Sequence, residues 1–385
     1  MEGFVFPNEL NVTWTVMIVL YPYITGLVAG AFIVSSLYHV FNRQLIKPVA
    51  RFSLASAFVF LLFAPLPLLI HLGQPQRALN IMVTPNFTSA MAGFGFIYTS
   101  YLIVVALEIW FVMREEFIAR ALGPKGFIRS LCRVITLYQF EVNEDTRRID
   151  HKAITFLAGL GIPMACVLHG YVGFLFGSIK ANPWWSTPLM FIIFLFSAIV
   201  SGIAVLIFHY SVVCRINRWK IDYDCVHALG RYLWGFMIIA VGLEMMEVLS
   251  IAYKQTNEWE VLYELITKKL FWTYVVFQFL ILSLIPFFML AYNALFKPRN
   301  KVSHALVFIS STMLLVQVLL MRWNVVIGGQ ILSKSLRGFT TYLPGLLEKE
   351  GIVTAVVIFT MPFLILYLFH RVVHLFPGVE KQQPV

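Results

Sequence analysis

The stretch "LLIHLGQPQR" puts His71 and Arg77 at and just past the end of an apolar run. "VLYPYITG" puts Tyr21 and Tyr23 early in another, and "VLHGYVG" puts His169 and Tyr171 late in a third. Imidazole, phenol and guanidinium groups at one level of an apolar chain match the needs of a quinone headgroup. That group asks for a donor or acceptor near each of its two carbonyl oxygens, a proton route, and apolar walls for an isoprenoid tail. Each residue also has a plainer role. Tyrosine belongs at the interface of any membrane protein, and a histidine at a helix end is often only solvated. His169 and Tyr171 are two residues apart and cannot share one helix face, so one would serve the site and the other packing.

A second set of ionisable residues lies deeper in apolar sequence. "GLEMMEVL" places Glu244 and Glu247 one turn apart, and "LLMRWNVV" places Arg322 at a similar level. An ionised group at a bilayer centre costs at least ~2.5–3.5 kcal/mol, so carboxylates near a guanidinium suggest an intramembrane ion pair. Such a pair would be either a proton-coupling relay or a lock between helices. Glu108 and His209 lie further inward and could extend a proton path in that direction.

The elements that carry these residues are long and apolar. Of the 385 residues 59% are hydrophobic and 12% charged, against about 25% charged in soluble domains. A water-soluble fold is excluded, and the roughly ten-residue alternation of a β-barrel is missing. The expected fold is therefore an all-α polytopic membrane protein. Nine spans are expected, near 14–41, 48–72, 88–116, 152–178, 186–214, 226–253, 269–296, 303–326 and 350–374. Each has at least ~20 residues, enough for a ~30 Å hydrocarbon core. Lys and Arg divide 20 to 8 between alternate sides, which places the N-terminus outside and the C-terminus in the cytoplasm. In this orientation Tyr21, Tyr23, His71, Arg77, His169 and Tyr171 all fall toward the outer face, as do Glu244, Glu247 and Arg322.

The net charge of +10 is spread over short loops beside the apolar runs. That is a topology signal and argues against nucleic-acid binding. Cys132, Cys166, Cys214 and Cys225 are widely separated with no C-x-x-C, so neither an iron–sulfur cluster nor a structural metal is expected from this chain. Haem would need two histidines at matched depth on facing helices; His71 and His169 are the one such pair, and haem is not expected. The N-terminal "MEGFVFPNELNVTW" has neither a basic region nor a small-residue cleavage site, so no signal peptide is read. The one sizeable polar segment, 117–151, reads as a cytoplasmic loop with one surface helix. It is too short for a catalytic domain, so chemistry must lie in the membrane or on partner subunits. The pairs Gly26/Gly30 and Gly173/Gly177 have the spacing for close helix approach and suggest a tight bundle of spans 1–4.

Three stretches together carry a family resemblance: "YPYITGLVAGAFIVSSL", "LLIHLGQPQRALNIMVTPNFTSAMAGFG" and "HGYVGFLFGSIKANPWWSTPLMFIIFLFSAIVSGIAVL". The chain resembles the NrfD/PsrC family of quinone-interacting membrane subunits. Leu72, Gly73, Pro75, Arg77, Thr88, Ser89, Met91 and Gly93 fit the family's loop pattern, while His71 stands where that pattern has an aspartate. The later stretch "MRWNVVIGGQILSKSLRGFTTYLPG" is similar to the DsrP subunit of DsrMKJOP-type complexes. The resemblance implies two consecutive four-helix bundles plus an extra C-terminal helix. The units would be 1–180 (spans 1–4, quinone site), 181–326 (spans 5–8) and 327–385 (outer loop, ninth span and cytoplasmic tail). It also implies a menaquinone site near the outer face, without haem, and an extracytoplasmic ferredoxin-like iron–sulfur subunit docked there. Cytochrome c, haem b and further iron–sulfur subunits would complete the complex. By the same resemblance Tyr171 takes the lead role, while their common depth sets His169, His71, Arg77, Tyr21 and Tyr23 around the quinone. The expected function is electron exchange between menaquinol and partner iron–sulfur clusters, with Glu244, Glu247 and Arg322 coupling protons. The alternatives are a secondary transporter, with its site at the midplane, or a structural anchor with no redox chemistry.

Overall fold

The computed structural model describes residues 2–255 and 258–376. Among these, nine helices are long and apolar enough to cross a membrane. They are α1 (Val16–His39), the broken pair α2 (Lys47–Phe63) and α3 (Leu66–His71), α5 (Ala90–Leu122), α7 (Glu144–Gly177), α8 (Met190–Asn217), α9 (Tyr223–Lys254), a π-helical segment Phe271–Leu284 running into α11 (Ile285–Phe296), α12 (Asn300–Ile331) and α13 (Ile352–Val372). Short helices α4 (Asn80–Val83), α6 (Phe127–Ile135) and α10 (Trp259–Glu264) lie between them. Residues 377–385 of the expected tail lie outside the described residues.

Several spans run longer than expected from the sequence. α5 continues to Leu122 and α7 starts at Glu144, so only α6 and two short links remain of the expected cytoplasmic loop. The reason at α7 is a capping box: Asn143 Oδ1 accepts from Thr146 N (2.8 Å) while Thr146 Oγ1 accepts from Asn143 N (2.9 Å). The box satisfies orphan N–H groups and sets the start of the helix in a polar region that hydropathy does not mark. Asp222 does the same for α9, accepting from Cys225 N at 3.0 Å.

α1 is the axis of the molecule. It packs against α2, α7, α8 and α12 and is buried over nearly its whole length. It crosses α8 at close range, because Gly30 and Gly202 face each other: a Cβ on Gly30 would come 2.6 Å from Gly202 Cα and 2.6 Å from Ile199 O. Gly26 faces Ala198 and Ser201, and Gly173 and Gly177 face Met190 and Thr187 around the start of α8. The small-residue faces therefore join spans 1 and 4 to span 5. The expectation that they tighten spans 1–4 among themselves is corrected. Spacing marks a small face but not the helix that it meets.

Pro65 divides span 2. It has no N–H to give to Leu61 O, and the Tyr98 hydroxyl donates to that carbonyl instead. At the N-terminal end of the molecule, strand β1 (Glu2–Phe4) pairs antiparallel with β2 (Arg337–Phe339). This clasp draws the loop between α12 and α13 over the start of α1. There Val16 N donates to Tyr342 Oη (3.0 Å), and Gln330 Oε1 accepts from Thr13 Oγ1 (3.2 Å) and Trp14 N (3.3 Å).

Candidate quinone-type cavity

A cavity of about 870 Å³ opens between α1, α3, α4, α5 and the end of α7, on the face that carries the N-terminus. Its walls are apolar: Ile18 from α1, Leu68 and Leu69 from α3, Ile81 and Met82 from α4, Phe94 from α5 and Phe176 from α7. Leu72, Leu79 and Met91 line it and are exposed, so the cavity reaches the surface. Its size is in the range of sites that hold a small organic ligand.

A few polar groups converge on this space. Tyr21 is 3% exposed, and its hydroxyl has no hydrogen-bond partner among the described residues. Its ring is fixed edge-on against Phe94, with centroids 5.6 Å apart. A buried phenol without a partner costs about 1–3 kcal/mol, and Tyr21, which lines the cavity, carries such a group. Arg77 reaches the rim from a short turn, Pro75–Arg77. His71 lines the cavity at the end of α3, with Nδ1 2.8 Å from Glu350 Oε2. Thr15 Oγ1 donates to the same carboxylate oxygen at 2.5 Å. Burial alone would raise the pKa of Glu350. The hydrogen bonds from His71 and Thr15, with the charges of His71 and Lys349, outweigh it and hold the carboxyl below its ordinary value.

Tyr21, His71 and Arg77 thus come together. Tyr23, His169 and Tyr171 do not line this cavity. Tyr23 Oη donates to Leu315 O at 3.1 Å and ties α1 to α12. His169 is 3% exposed, with Nδ1 2.9 Å from Ala165 O in its own helix and Nε2 against Thr25 O of α1. Tyr171 Oη donates to Ala90 O (2.7 Å) and lies against Gly93, where a Cβ would meet that hydroxyl at 2.5 Å. All three hold helices at the cavity's level from outside its walls. Depth in the sequence sets the level of a side chain, and azimuth decides what it faces. Tyr98, Thr99 and Trp14 also line the cavity, and the sequence alone did not point to them. Phe94 and Tyr98, four apart on one α5 face, were the readable signal. Glu350 had none, since it is a loop residue 279 positions from its partner.

The deeper set forms a separate cluster. Gln278 Nε2 donates to Glu244 Oε2 (2.9 Å), and Gln278 Oε1 accepts from Asn324 Nδ2 (2.8 Å). Arg322 is 1% exposed; it donates to Ser197 Oγ (2.8 Å) and Phe194 O (3.3 Å) and stacks over the Phe194 ring at 3.8 Å. Among the described residues Glu244 and Arg322 form no direct salt bridge. The expected ion pair is therefore corrected to a chain of amides beside a ring-stacked guanidinium. Gln278 reaches this position from the π-helical segment, whose wider turn also lets Ser283 Oγ donate to Gln278 O at 2.7 Å. Glu247 and Glu244 both border a second cavity of about 30 Å³, enough room for a water molecule. Glu108 is fully buried in α5, with neither carboxylate oxygen hydrogen-bonded among the described residues. His209 packs edge-on against Phe52.

Residues 6–333 match the family model described as polysulphide reductase, NrfD. The chain belongs to the NrfD family. With nine apolar helices, this NrfD-family chain is a multi-pass integral membrane protein. It is 37% identical over 205 residues to a subunit of the selenate reductase of Mesobacillus selenatarsenatis, covering 52% of this chain and 48% of that protein. It is 24% identical over 229 residues to an Hdr-like menaquinol oxidoreductase integral membrane subunit of Archaeoglobus fulgidus, covering 60% and 49%. It is likewise 24% identical over 246 residues to protein NrfD of Escherichia coli, covering 61% and 73%. The chain spans about half the length of the first two of these relatives. The cavity, the loop 72–89 and both partners of the Gly30–Gly202 contact fall inside the NrfD match, whereas Glu350 falls beyond it.

Proposed function

We propose that this chain is the quinone-reactive membrane subunit of a multisubunit respiratory or sulfur-metabolism oxidoreductase, exchanging electrons between menaquinol and iron–sulfur clusters held by partner subunits. The observation that carries the reading is the apolar cavity of about 870 Å³, lined among others by Tyr21, whose buried phenol lacks a partner among the described residues, and by His71, whose imidazole is bound to a carboxylate. The name of the menaquinol oxidoreductase relative supports the choice of quinone. A structural anchor would have no use for such a cavity. The bound quinone supplies reversible two-electron, two-proton chemistry. Tyr21 donates to one of its oxygens, His71 faces the other, and Arg77 at the rim orients the headgroup or the docked partner. His169, Tyr171 and Tyr23 hold α1, α5, α7 and α12 at the spacing the cavity needs.

The loop 72–89 carries the exposed apolar side chains Leu79, Val83 and Phe87 beside the cavity, a surface suited to an extracytoplasmic iron–sulfur subunit. The charge bias of the loops supports an orientation with this face outside the cytoplasmic membrane. In the second bundle, Glu244, Glu247 and Arg322 are proposed to couple protons through Gln278 and Asn324. The stretch 321–345 supports a DsrP-like place within the family, and the selenate reductase likeness adds an oxyanion reductase as a second candidate complex. The test is Tyr21→Phe in the purified complex. Menaquinol turnover should fall by at least about tenfold, with the same set of subunits present and menaquinone extractable from the wild-type protein. Wild-type turnover in this variant, with no quinone in the lipid extract, would sink the reading.

A further inference from the structure

We infer that Glu350 is a positioning residue that fixes His71 as the proton acceptor of the cavity. The inference rests on the quinone reading above and adds a group from outside the residues that the family match covers. His71 lines the cavity, yet its Nδ1 is engaged 2.8 Å from Glu350 Oε2. A carboxylate only accepts, so Nδ1 must carry the hydrogen and, in the neutral ring, Nε2 keeps its lone pair. Nε2 is then the free ring nitrogen of a side chain that borders the cavity, in the tautomer that can take a proton. Thr15 Oγ1 donates to the same Oε2 (2.5 Å) and holds the carboxylate in place from the N-terminal side. The β1–β2 clasp and the Val16–Tyr342 bond hold the loop that carries it. Both side chains of the pair are 24% exposed, so the pair bridges the cavity wall and the surface.

In quinol oxidation, His71 Nε2 takes the proton of one hydroxyl: that O–H bond breaks and an N–H bond forms. The two electrons pass singly to iron–sulfur clusters of the partner subunit. The Glu350 carboxylate offsets the charge of the resulting imidazolium. The proton is released to water at the exposed rim, and the same nitrogen then serves the second hydroxyl. The other titratable or charged groups around the pair are Tyr21, Tyr98 and Arg77 about the cavity, and Tyr342, Glu348 and Lys349 on the loop. None of them touches Nδ1 within hydrogen-bond distance.

The test uses the intact complex in nanodiscs, with two readouts across pH. One is menaquinol oxidation, and the other is fluorescence quenching on binding of a hydroxyquinoline N-oxide quinol analogue. Glu350→Gln keeps an oxygen to accept from His71 and Thr15 and removes the charge. The expected result is a kcat lowered about tenfold or more, with KM within about threefold. The acidic limb of the kcat profile, and the pH at which analogue affinity breaks, should both move to lower pH, since the imidazolium loses its counter-charge. Glu350→Asp, which keeps the charge, should hold the limb at its wild-type position with a smaller loss of kcat. Wild-type kcat and an unshifted limb in Glu350→Gln would overturn the relay while leaving the quinone site standing. A wild-type complex that neither binds the analogue nor oxidises menaquinol would overturn the site and the relay together. Should Glu350→Gln fail to assemble, Glu350→Asp decides: a held limb supports the relay and a shifted one overturns it.

Discussion

Tyr171 and Gly93 form a small lock at the start of α5: the phenol bonds Ala90 O, and the glycine leaves room for it. On this geometry Tyr171→Phe removes one hydrogen bond, a loss of about 0.5–1.5 kcal/mol, and leaves the cavity walls unchanged. Menaquinol turnover of the variant should stay within about threefold of wild type, with a modestly lower unfolding temperature in detergent. Abolished turnover with intact assembly would return Tyr171 to the quinone, where the family resemblance puts it. The residue scale also marks how far the sequence could be read. Tyr21, His71 and Arg77 were legible, because an ionisable or phenolic group beside an apolar run needs a reason to be there. Tyr23, His169 and Tyr171 were legible as polar groups at the right depth. Their bonds to Leu315 O, Thr25 O and Ala90 O could not be read, since backbone carbonyls leave no mark in a sequence.

Between elements, the decisive contact is the Gly30–Gly202 crossing of α1 and α8. Cβ atoms there would meet backbone within 2.6 Å, and backbone cannot move aside as a side-chain tip can. Gly30→Ala should cost about 1–3 kcal/mol by overpacking, and Gly30→Leu should prevent a monodisperse protein from forming. Gly73→Ala is the control, since nothing lies within 4 Å of its Cβ position, and its melting temperature should match wild type. Equal behaviour of the Gly30 and Gly73 variants would refute the close crossing. The nine spans themselves were readable, because apolar runs of that length have few other uses. The extra turns of α5 and α7 were not, as they are polar, and α7 owes its start to a capping box. The π-helical turn that presents Gln278 was hidden too, since it shifts register without changing composition.

For the whole molecule, the proposed orientation makes a direct prediction. Asn8→Cys, on the exposed N-terminal segment, should react with a membrane-impermeant maleimide in intact cells. Lys125→Cys, in the link before α6, should react only after permeabilisation. The reverse pattern would invert the topology and move the cavity to the cytoplasmic face. The tie between chain ends bears on how the protein is made. Synthesis runs from the N-terminal to the C-terminal side, so β1 stays without its partner strand until eight spans have left the ribosome, and His71 waits still longer for Glu350. A chain stopped before β2 therefore holds every lining residue of the cavity and lacks both the clasp and the His71–Glu350 contact. On the proposed reading, the cavity is lined long before its histidine is seated, and the loop ahead of α13 is the step that completes it.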